Sequence, residues 1–117
     1  IGLVRDINEN ATVAEMTLEH YPAMTEKALT NIVEQAKSRW DIMDVSLVHR
    51  IGTLKPMDQI VLVVVASSHR GAAFAACEFI VDYLKTRAPF WKKEKTDKGV
   101  RWVEARDSDD DAAQRWH

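Results

Sequence analysis

The stretch YLKTRAPFWKKEK, from Tyr83 to Lys95, concentrates cations around a Pro-Phe-Trp corner. From Lys85 to Arg106 there are eight Lys or Arg against three acids, which is half of the chain's sixteen cations. Desolvation by the aromatic rings and mutual repulsion would lower the pKa values of Lys85 and Lys92. A lysine tuned in this way can act as a general acid or base, or can pair with a developing oxyanion. Spacing alone supports equally well a solvated hairpin edge whose charges prevent it from pairing with another strand.

A second candidate is the pair His69 and Arg70, where an apolar strand meets a predicted helix N-terminus. Free backbone N–H groups and the positive end of the helix dipole favour an anion there. Adding an Arg and a His would make a cradle for phosphate or carboxylate. The residues alone favour the plainer interpretation, in which His69 caps the helix and Arg70 is solvated. Lys85 lies at the other end of this helix, where a cation is favourable for dipole reasons alone.

Several classes of site lack the residues that they need. The four His are scattered and the acids form no paired motif, so the sequence predicts no metal site and no cofactor. The four glycines are far apart, which excludes a Gly-rich phosphate loop. The single cysteine, Cys77, cannot form an internal disulfide and falls on a predicted helix, so we expect a buried bystander thiol in a reducing compartment.

Composition indicates one compact domain over residues 1–117, because the chain is 46% hydrophobic and too short for two cores. A formal net charge of -2 argues against binding nucleic acid with the whole surface. The longest apolar run, Ile60 to Ala66, has the length of a strand, so no membrane segment is predicted. The chain begins at Ile1 without an initiator Met or a signal-peptide pattern, and we expect an upstream segment to be missing.

Periodicity predicts the elements of the first half of the chain. Residues 13–20 alternate as a half-buried strand in which Ala14, Met16 and Leu18 share the buried face. An apolar stripe from 24 to 40 predicts an amphipathic helix after Pro22. Alternation resumes at 45–51, and the run 59–68 is apolar on both faces, which predicts a central strand covered on both sides.

The second half is predicted in the same way. Ser67 and Ser68 are the expected N-caps of a helix that begins near His69 and reaches about residue 85 or 86. Residues 90–95 and 100–105 flank a turn and predict a hairpin, and Ser108 is expected to cap a short C-terminal helix. With a further strand at 1–5, the prediction is an α+β domain with a mixed sheet, two main helices and a short C-terminal helix.

From about Val4 to Trp116 the chain resembles the large, catalytic subunit family of molybdopterin synthase. Long segments of unusual composition carry the resemblance: GLVR at 2–5, LEHYPAMTEKAL at 18–29, VHRIG at 48–52, SSHR at 67–70, DYLKTRAPFWKKE at 82–94 and RWVEARDSD at 101–109.

The resemblance implies an α/β hammerhead fold and a cytoplasmic sulfurtransferase without a cofactor. In this family, sulfur passes from the C-terminal thiocarboxylate of a small ubiquitin-like carrier, whose Gly-Gly tail enters the pocket, to cyclic pyranopterin monophosphate. The product carries the dithiolene of molybdopterin. The resemblance also implies a homodimer core of a heterotetramer with one carrier subunit at each outer end, and no membrane or nucleic-acid partner. A locally basic pocket on a nearly neutral protein suits this anionic chemistry.

The resemblance assigns the site residues. Lys85 and Lys92 are the catalytic cations, Arg5, His69 and Arg70 hold the phosphate, and Arg106 is expected to reach the neighbouring subunit's pocket. The implied substrate-binding set is Val4, Arg5, His69, Arg70, Lys85, Lys92, Lys93, Glu94 and Arg106. Leu3 stands where family members often have Lys, so side-chain contacts from that position are not carried over.

Two other classes of function remain open at this stage. A single-strand nucleic-acid module could use Trp91 and Trp102 as stacking platforms, although the acidic run from Asp107 to Asp111 argues against it. A noncatalytic ferredoxin-like ligand-binding domain would fit the strands and helices between 13 and 95. An assay with thiocarboxylated carrier separates both from a synthase.

Overall fold

The computed structural model describes residues 1–8, 10–103 and 107–117. Arg106 therefore lies outside the described residues. The elements in chain order are β1 (Gly2–Leu3), β2 (Ile7–Asn8), β3 (Ala11–His20), α1 (Pro22–Arg39), β4 (Asp44–His49), β5 (Gly52–Leu54), β6 (Gln59–Ala66), α2 (Arg70–Arg87), β7 (Phe90–Thr96), β8 (Gly99–Val103) and α3 (Asp107–Gln114). The predicted α+β class and the three helices are confirmed.

The strands form two sheets. One has three strands in the order β1-β6-β4, and β1 pairs with β6 in the antiparallel sense. The other has the order β2-β3-β7-β8, with β5 pairing alongside β3. In this sheet β7 lies between β3 and β8 and is antiparallel to both. The hairpin of β7 and β8 is as predicted, with Gly99 at φ +109°, a conformation that glycine adopts without strain.

The chain divides into two compact units, which are described separately. The strand unit comprises residues 1–21, 48–62 and the β7–β8 hairpin, and the helix unit comprises 22–47, 63–89 and the segment with α3. The single-domain organisation stays a prediction.

The core of the strand unit is built on β3. Its buried cluster consists of Val4, Val13, Met16, Leu18 and Leu54, with Ile60 and Phe90 packed against it. A β-bulge between Val13 and Glu15 shifts the register with β7, so the buried side changes from odd to even residues along the strand. The predicted buried face was therefore right for Met16 and Leu18 and wrong for Ala14, which is exposed because it precedes that shift.

The core of the helix unit lies between α1 and α2. Ile32 and Ala36 of α1 are buried, as are Phe79, Ile80 and Tyr83 of α2. The rings of Trp40 and Trp116 lie 5.5 and 5.7 Å from the Phe79 ring, so the residues after α3 also pack on this cluster.

Three further sequence predictions are corrected by the structure. Strand β6 is central in its sheet but is not covered on both faces, because Leu62 and Val64 keep 37% and 48% exposure. The N-cap of α2 is His69, without a side-chain cap, rather than a serine. Ser67 is instead engaged locally: its Oγ accepts the His69 N–H and donates to the Asp41 carbonyl. In addition, α3 begins at Asp107, so Ser108 lies inside its first turn rather than at the cap.

Candidate active site

The pleat of β7 separates the cationic corner into two faces. Alternate side chains of a strand point to opposite sides, so Phe90, Lys92 and Glu94 share one face and Trp91 and Lys93 share the other. In the first set, Phe90 and Lys92 are half-buried and Glu94 is buried. The Pro-Phe-Trp corner therefore points its two aromatic rings to different sides of the sheet.

Lys92 is half-buried between apolar neighbours. In the ladder it lies opposite Leu18 of β3 and Val103 of β8. Residues that are directly opposite on neighbouring strands point to the same face. The Lys92 side chain is therefore flanked by hydrocarbon, which provides the partial desolvation that a catalytic ammonium needs.

Glu94 is tied into the strand unit by its own hydrogen bonds. Its side chain is buried, and its two carboxylate oxygens accept bonds from Asn8 Nδ2 at 3.2 and 3.1 Å. Arg101 donates from Nε to the same carboxylate at 3.2 Å and from Nη2 to the Asn8 carbonyl at 2.7 Å. The Glu94 carboxylate thus links β2, β7 and β8, and its predicted substrate contact stays a prediction.

Lys93 and Trp91 are on the opposite face of β7. The Lys93 ammonium lies 5.6 Å from the centroid of the Trp102 ring, a cation–π arrangement. Trp91 meets the ring of Tyr21 edge-on, with centroids 4.9 Å apart. Lys93 is thus positioned by a ring on β8, and it does not share a face with Lys92.

The predicted residues near the N-terminus differ in exposure. Val4 is buried in the core cluster, and its backbone bonds to the loop before β6, where its N–H donates to the Asp58 carbonyl and its carbonyl accepts from Met57. Arg5 follows directly and is exposed. Anchoring at Val4 fixes the backbone from which the Arg5 guanidinium extends.

The remaining predicted residues lie at the two ends of α2. His69 is the N-cap in an extended conformation, Arg70 is the first helical residue, and both are exposed. Lys85 is in the last turn, keeps 44% side-chain exposure and lies 4.0 Å from an Asp109 carboxylate oxygen. Fifteen residues separate Arg70 from Lys85, which corresponds to about 22 Å along a helix that rises 1.5 Å per residue.

One titratable group beside Lys92 was not singled out by the sequence. His49, the last residue of β4, stacks on Phe90 with ring centroids 4.0 Å apart. Burial lowers the pKa of His49, its bond to the Arg50 carbonyl acts in the opposite direction, and the nearby Lys92 ammonium and His20 ring lower it further. The only sequence signal was its place in the VHRIG segment.

Over the described residues, no group of three or more His, Cys, Asp or Glu could hold a metal ion. Within the same residues, no helix is long and apolar enough to cross a bilayer. Cys77 is half-buried on α2 and has a free thiol.

Comparison with known proteins decides the family. A profile of the MoaE protein family matches residues 1–87. The chain belongs to the MoaE family. The molybdopterin synthase catalytic subunit of Ralstonia nicotianae is 66% identical over 99% of the chain, which spans 66% of that relative's length. The same subunit of Escherichia coli is 59% identical over 98% of the chain, which spans 77% of that relative.

Solved structures give the same result. A molybdopterin biosynthesis MoaE protein from Burkholderia ambifaria has a TM-score of 0.80 at 60% identity, with 98% of this chain and 75% of that one covered. Molybdopterin synthase from Staphylococcus aureus has a TM-score of 0.82 at 35% identity, with coverages of 87% and 74%. A complex of subunits 1 and 2 of molybdopterin-converting factor from Helicobacter pylori, 20% identical with a TM-score of 0.69, shares the fold over 91% of this chain and 68% of that one. The family predicted from the sequence motifs is confirmed, as is an enzyme of molybdopterin biosynthesis.

Proposed function

We propose that this MoaE chain is the catalytic partner in sulfur transfer from the thiocarboxylate of a small ubiquitin-like carrier to cyclic pyranopterin monophosphate. In each transfer the carrier's carbon–sulfur bond breaks, and a carbon–sulfur bond forms at a pterin carbon whose carbon–oxygen bond breaks, with the displaced oxygen leaving on water or on the phosphate. The carrier tail is released as a carboxylate, with the oxygen coming from water. The chain acts in the cytoplasm. It needs a sulfur carrier because its own single thiol, Cys77, lies half-buried on α2.

The observation that carries this proposal is the environment of Lys92. Lys92 belongs to the family's DYLKTRAPFWKKE segment. It lies on the face of β7 that also carries Phe90 and Glu94, here called the inward face, and is flanked by Leu18 and Val103. An ammonium in such a partly desolvated setting stabilises developing negative charge better than one in bulk water. Charge develops in this reaction on the thiocarboxylate and on the carbonyl oxygen that is attacked. Lys92 and Lys85 are therefore the proposed catalytic cations.

The other predicted residues take roles that fit their exposure. Arg5, His69 and Arg70 are exposed side chains with N–H donors, and the oxygens of a phosphate accept hydrogen bonds from such donors. Val4, Lys93 and Glu94 complete the proposed substrate-binding wall, and Val4 and Glu94 also help to hold the strands together.

The two ends of α2 favour a site shared between two copies of the chain. About 22 Å of helix separates Arg70 from Lys85, so a small substrate would have to lie along the helix to meet both in one copy. In a homodimer, one subunit can supply His69 and Arg70 while the other supplies Lys85. The apolar face of β6, with Leu62 and Val64 exposed, is the proposed dimer surface because solvated sheet faces normally carry polar residues. Carrier subunits at the outer ends complete a heterotetramer.

The test compares each proposed catalytic lysine with a lysine in a matched position. Lys37 is an exposed residue in the last turn of α1 and matches Lys85 in α2, and Lys95 is exposed on the other face of β7 from Lys92. Each of the four is changed to Ala, and single-turnover conversion of the cyclic precursor by thiocarboxylated carrier is measured. We expect Lys85→Ala and Lys92→Ala to be slower by about a hundredfold or more, because each removes a cation that stabilises the transition state.

Lys37→Ala and Lys95→Ala should stay within about twofold of the unaltered rate, since surface substitutions of this kind change little. Carrier binding and unfolding free energy are measured for all four variants. Equal rates for the Lys92→Ala and Lys95→Ala proteins would show that the inward face of β7 is ordinary surface and would overturn the assignment.

A further inference from the structure

On the inward face of β7, the Phe90 ring contacts two histidine rings. It is nearly parallel to His49 of β4, at 14° and 4.0 Å, and to His20 of β3, at 21° and 6.1 Å. Phe90 is two residues before Lys92 on the same face of the strand. The ring that His49 contacts therefore belongs to the same strand face as Lys92, one position along that face.

The hydrogen bond of His49 fixes where its proton sits. Its Nδ1 lies 2.8 Å from the Arg50 carbonyl oxygen, which can only accept, so Nδ1 carries the hydrogen. In the neutral ring Nε2 is then a bare lone pair. Protonation of His49 can take place only at Nε2 and converts an uncharged acceptor into a cation.

The groups around His49 disfavour that cation. Among the residues that the structure describes, Lys92 on β7 and His20 on β3 are the charged or titratable side chains that act on it, and both act by lowering its pKa. The neighbouring Arg50 guanidinium is engaged with the Gln59 carbonyl at 3.2 Å. The face of Phe90 favours an imidazolium, but burial and the Lys92 ammonium act in the opposite direction, and the net effect lowers the His49 pKa.

We propose that His49 is a positioning residue for Lys92: as an uncharged ring it holds Phe90 in place and adds no positive charge of its own beside the Lys92 ammonium. The inference rests on the proposed function of Lys92. A protonated His49 would repel the ammonium from its place between Leu18 and Val103. Sulfur transfer should then stop as His49 becomes charged.

The first experiment measures the single-turnover rate of sulfur transfer against pH. For unaltered protein with its carrier, the rate should fall about tenfold per pH unit once the pH is below the His49 pKa. His49→Phe keeps a stacking ring that cannot be charged, so its rate should persist to lower pH. His49→Lys carries a permanent cation and should be slow, by about tenfold or more, across the whole range. His117→Gln, which removes a histidine at the C-terminus, is the control and should follow the unaltered profile.

A purely structural His49 would give a different pattern. In that case His49→Phe would change the rate by one constant factor, and its acid limb would coincide with that of the unaltered protein. That coincidence would overturn the proposal.

The second experiment does not depend on activity. The His49 ring is titrated by NMR in unaltered protein, in Lys92→Met and in Lys95→Met. We expect the His49 pKa to rise in Lys92→Met, because a cation that faces it is gone, and to stay constant in Lys95→Met. An unchanged pKa in Lys92→Met would overturn the inference. A shifted pKa together with full activity of Lys92→Ala would instead refute the catalytic role of Lys92, so the two failures are distinguishable.

Discussion

At the scale of residues, charged side chains from one short segment have different physical roles. Lys92 is flanked by hydrocarbon, Lys93 lies over the Trp102 ring, and Glu94 bonds to Asn8 and Arg101. The three are consecutive, so the pleat and the neighbouring strands, rather than residue type, determine which of them can meet a substrate.

Glu94 provides a prediction about stability. Glu94→Ala leaves the partly buried Arg101 guanidinium without its carboxylate, and we expect the unfolding free energy to fall by about 3 kcal/mol. Glu19→Ala, which removes an exposed acid from β3, should change it by at most about 0.5 kcal/mol. Urea denaturation followed by circular dichroism measures both. Similar losses in the two variants would show that the Asn8–Glu94–Arg101 network contributes no more to the unfolding free energy than an exposed acid does.

His49 provides a prediction about pH. Because its pKa is lower in the folded state than the usual 6.5, the unfolded chain binds the proton more tightly. The contribution of His49 to stability is thus complete above about pH 6.5 and is lost as the pH falls towards the lowered value. We expect the unfolding free energy to decline less between pH 7.5 and 5 in His49→Phe than in unaltered protein. Parallel pH curves from urea titrations would contradict this.

At the scale of elements, α2 is joined to the C-terminal segment by two acids of unequal burial. Arg115 bonds both Glu78 and Asp82, and Trp116 Nε1 donates to the same Asp82 oxygen at 2.6 Å. The Asp82 side chain is 12% exposed and that of Glu78 is 56% exposed. Solvent screening weakens the outer pair, whereas the inner carboxylate satisfies two donors in a partly buried place.

These two acids form a matched pair one turn apart. Asp82→Ala should cost about 2 to 3 kcal/mol, because it leaves the Arg115 and Trp116 donors without their shared acceptor. Glu78→Ala should cost at most about 0.5 to 1 kcal/mol. Denaturant unfolding gives both values, and faster proteolysis of the C-terminus in Asp82→Ala would report the released segment. A larger loss for Glu78→Ala would mean that burial does not govern this cluster.

At the scale of the whole molecule, the proposed sharing of a site between two copies leads to a complementation experiment. Arg70→Ala and Lys85→Ala proteins are each expected to be nearly inactive. After subunit exchange in an equal mixture, about one quarter of the sites should combine an intact Arg70 from one chain with an intact Lys85 from the other. Sulfur transfer in the mixture should recover to about that fraction of the unaltered activity.

The control places a charge on the proposed dimer surface. Leu62→Glu in both chains should give monomers in sedimentation and abolish the recovery, because an ionised carboxylate cannot be buried without a partner. Val100→Glu, on an exposed position of β8, should leave both the dimer and the recovery intact. Failure of the mixed dimers to regain activity would place His69, Arg70 and Lys85 in one copy.

Local patterns in the sequence were sufficient to predict most elements and the family. Periods of 2 and 3.6 residues predicted β3, α1, α2 and the β7–β8 hairpin, because an element's hydrophobic pattern repeats over its own residues. The family could be predicted because its motifs are long. The roles of Lys85 and Lys92, which come from the same motifs, stay predictions.

What the tertiary structure alone decided depends on residues that are distant in the chain. The bulge that exposes Ala14 is a property of the pairing of β3 with β7, and the exposed side of β6 depends on what packs over its sheet. Glu94 meets Asn8 across 86 positions. His49 likewise reaches Phe90 only because β4 and β7 are brought together. Side chains of the same type differ in protonation and contacts because of neighbours that are distant in the sequence. No local sequence pattern indicates which neighbours those are.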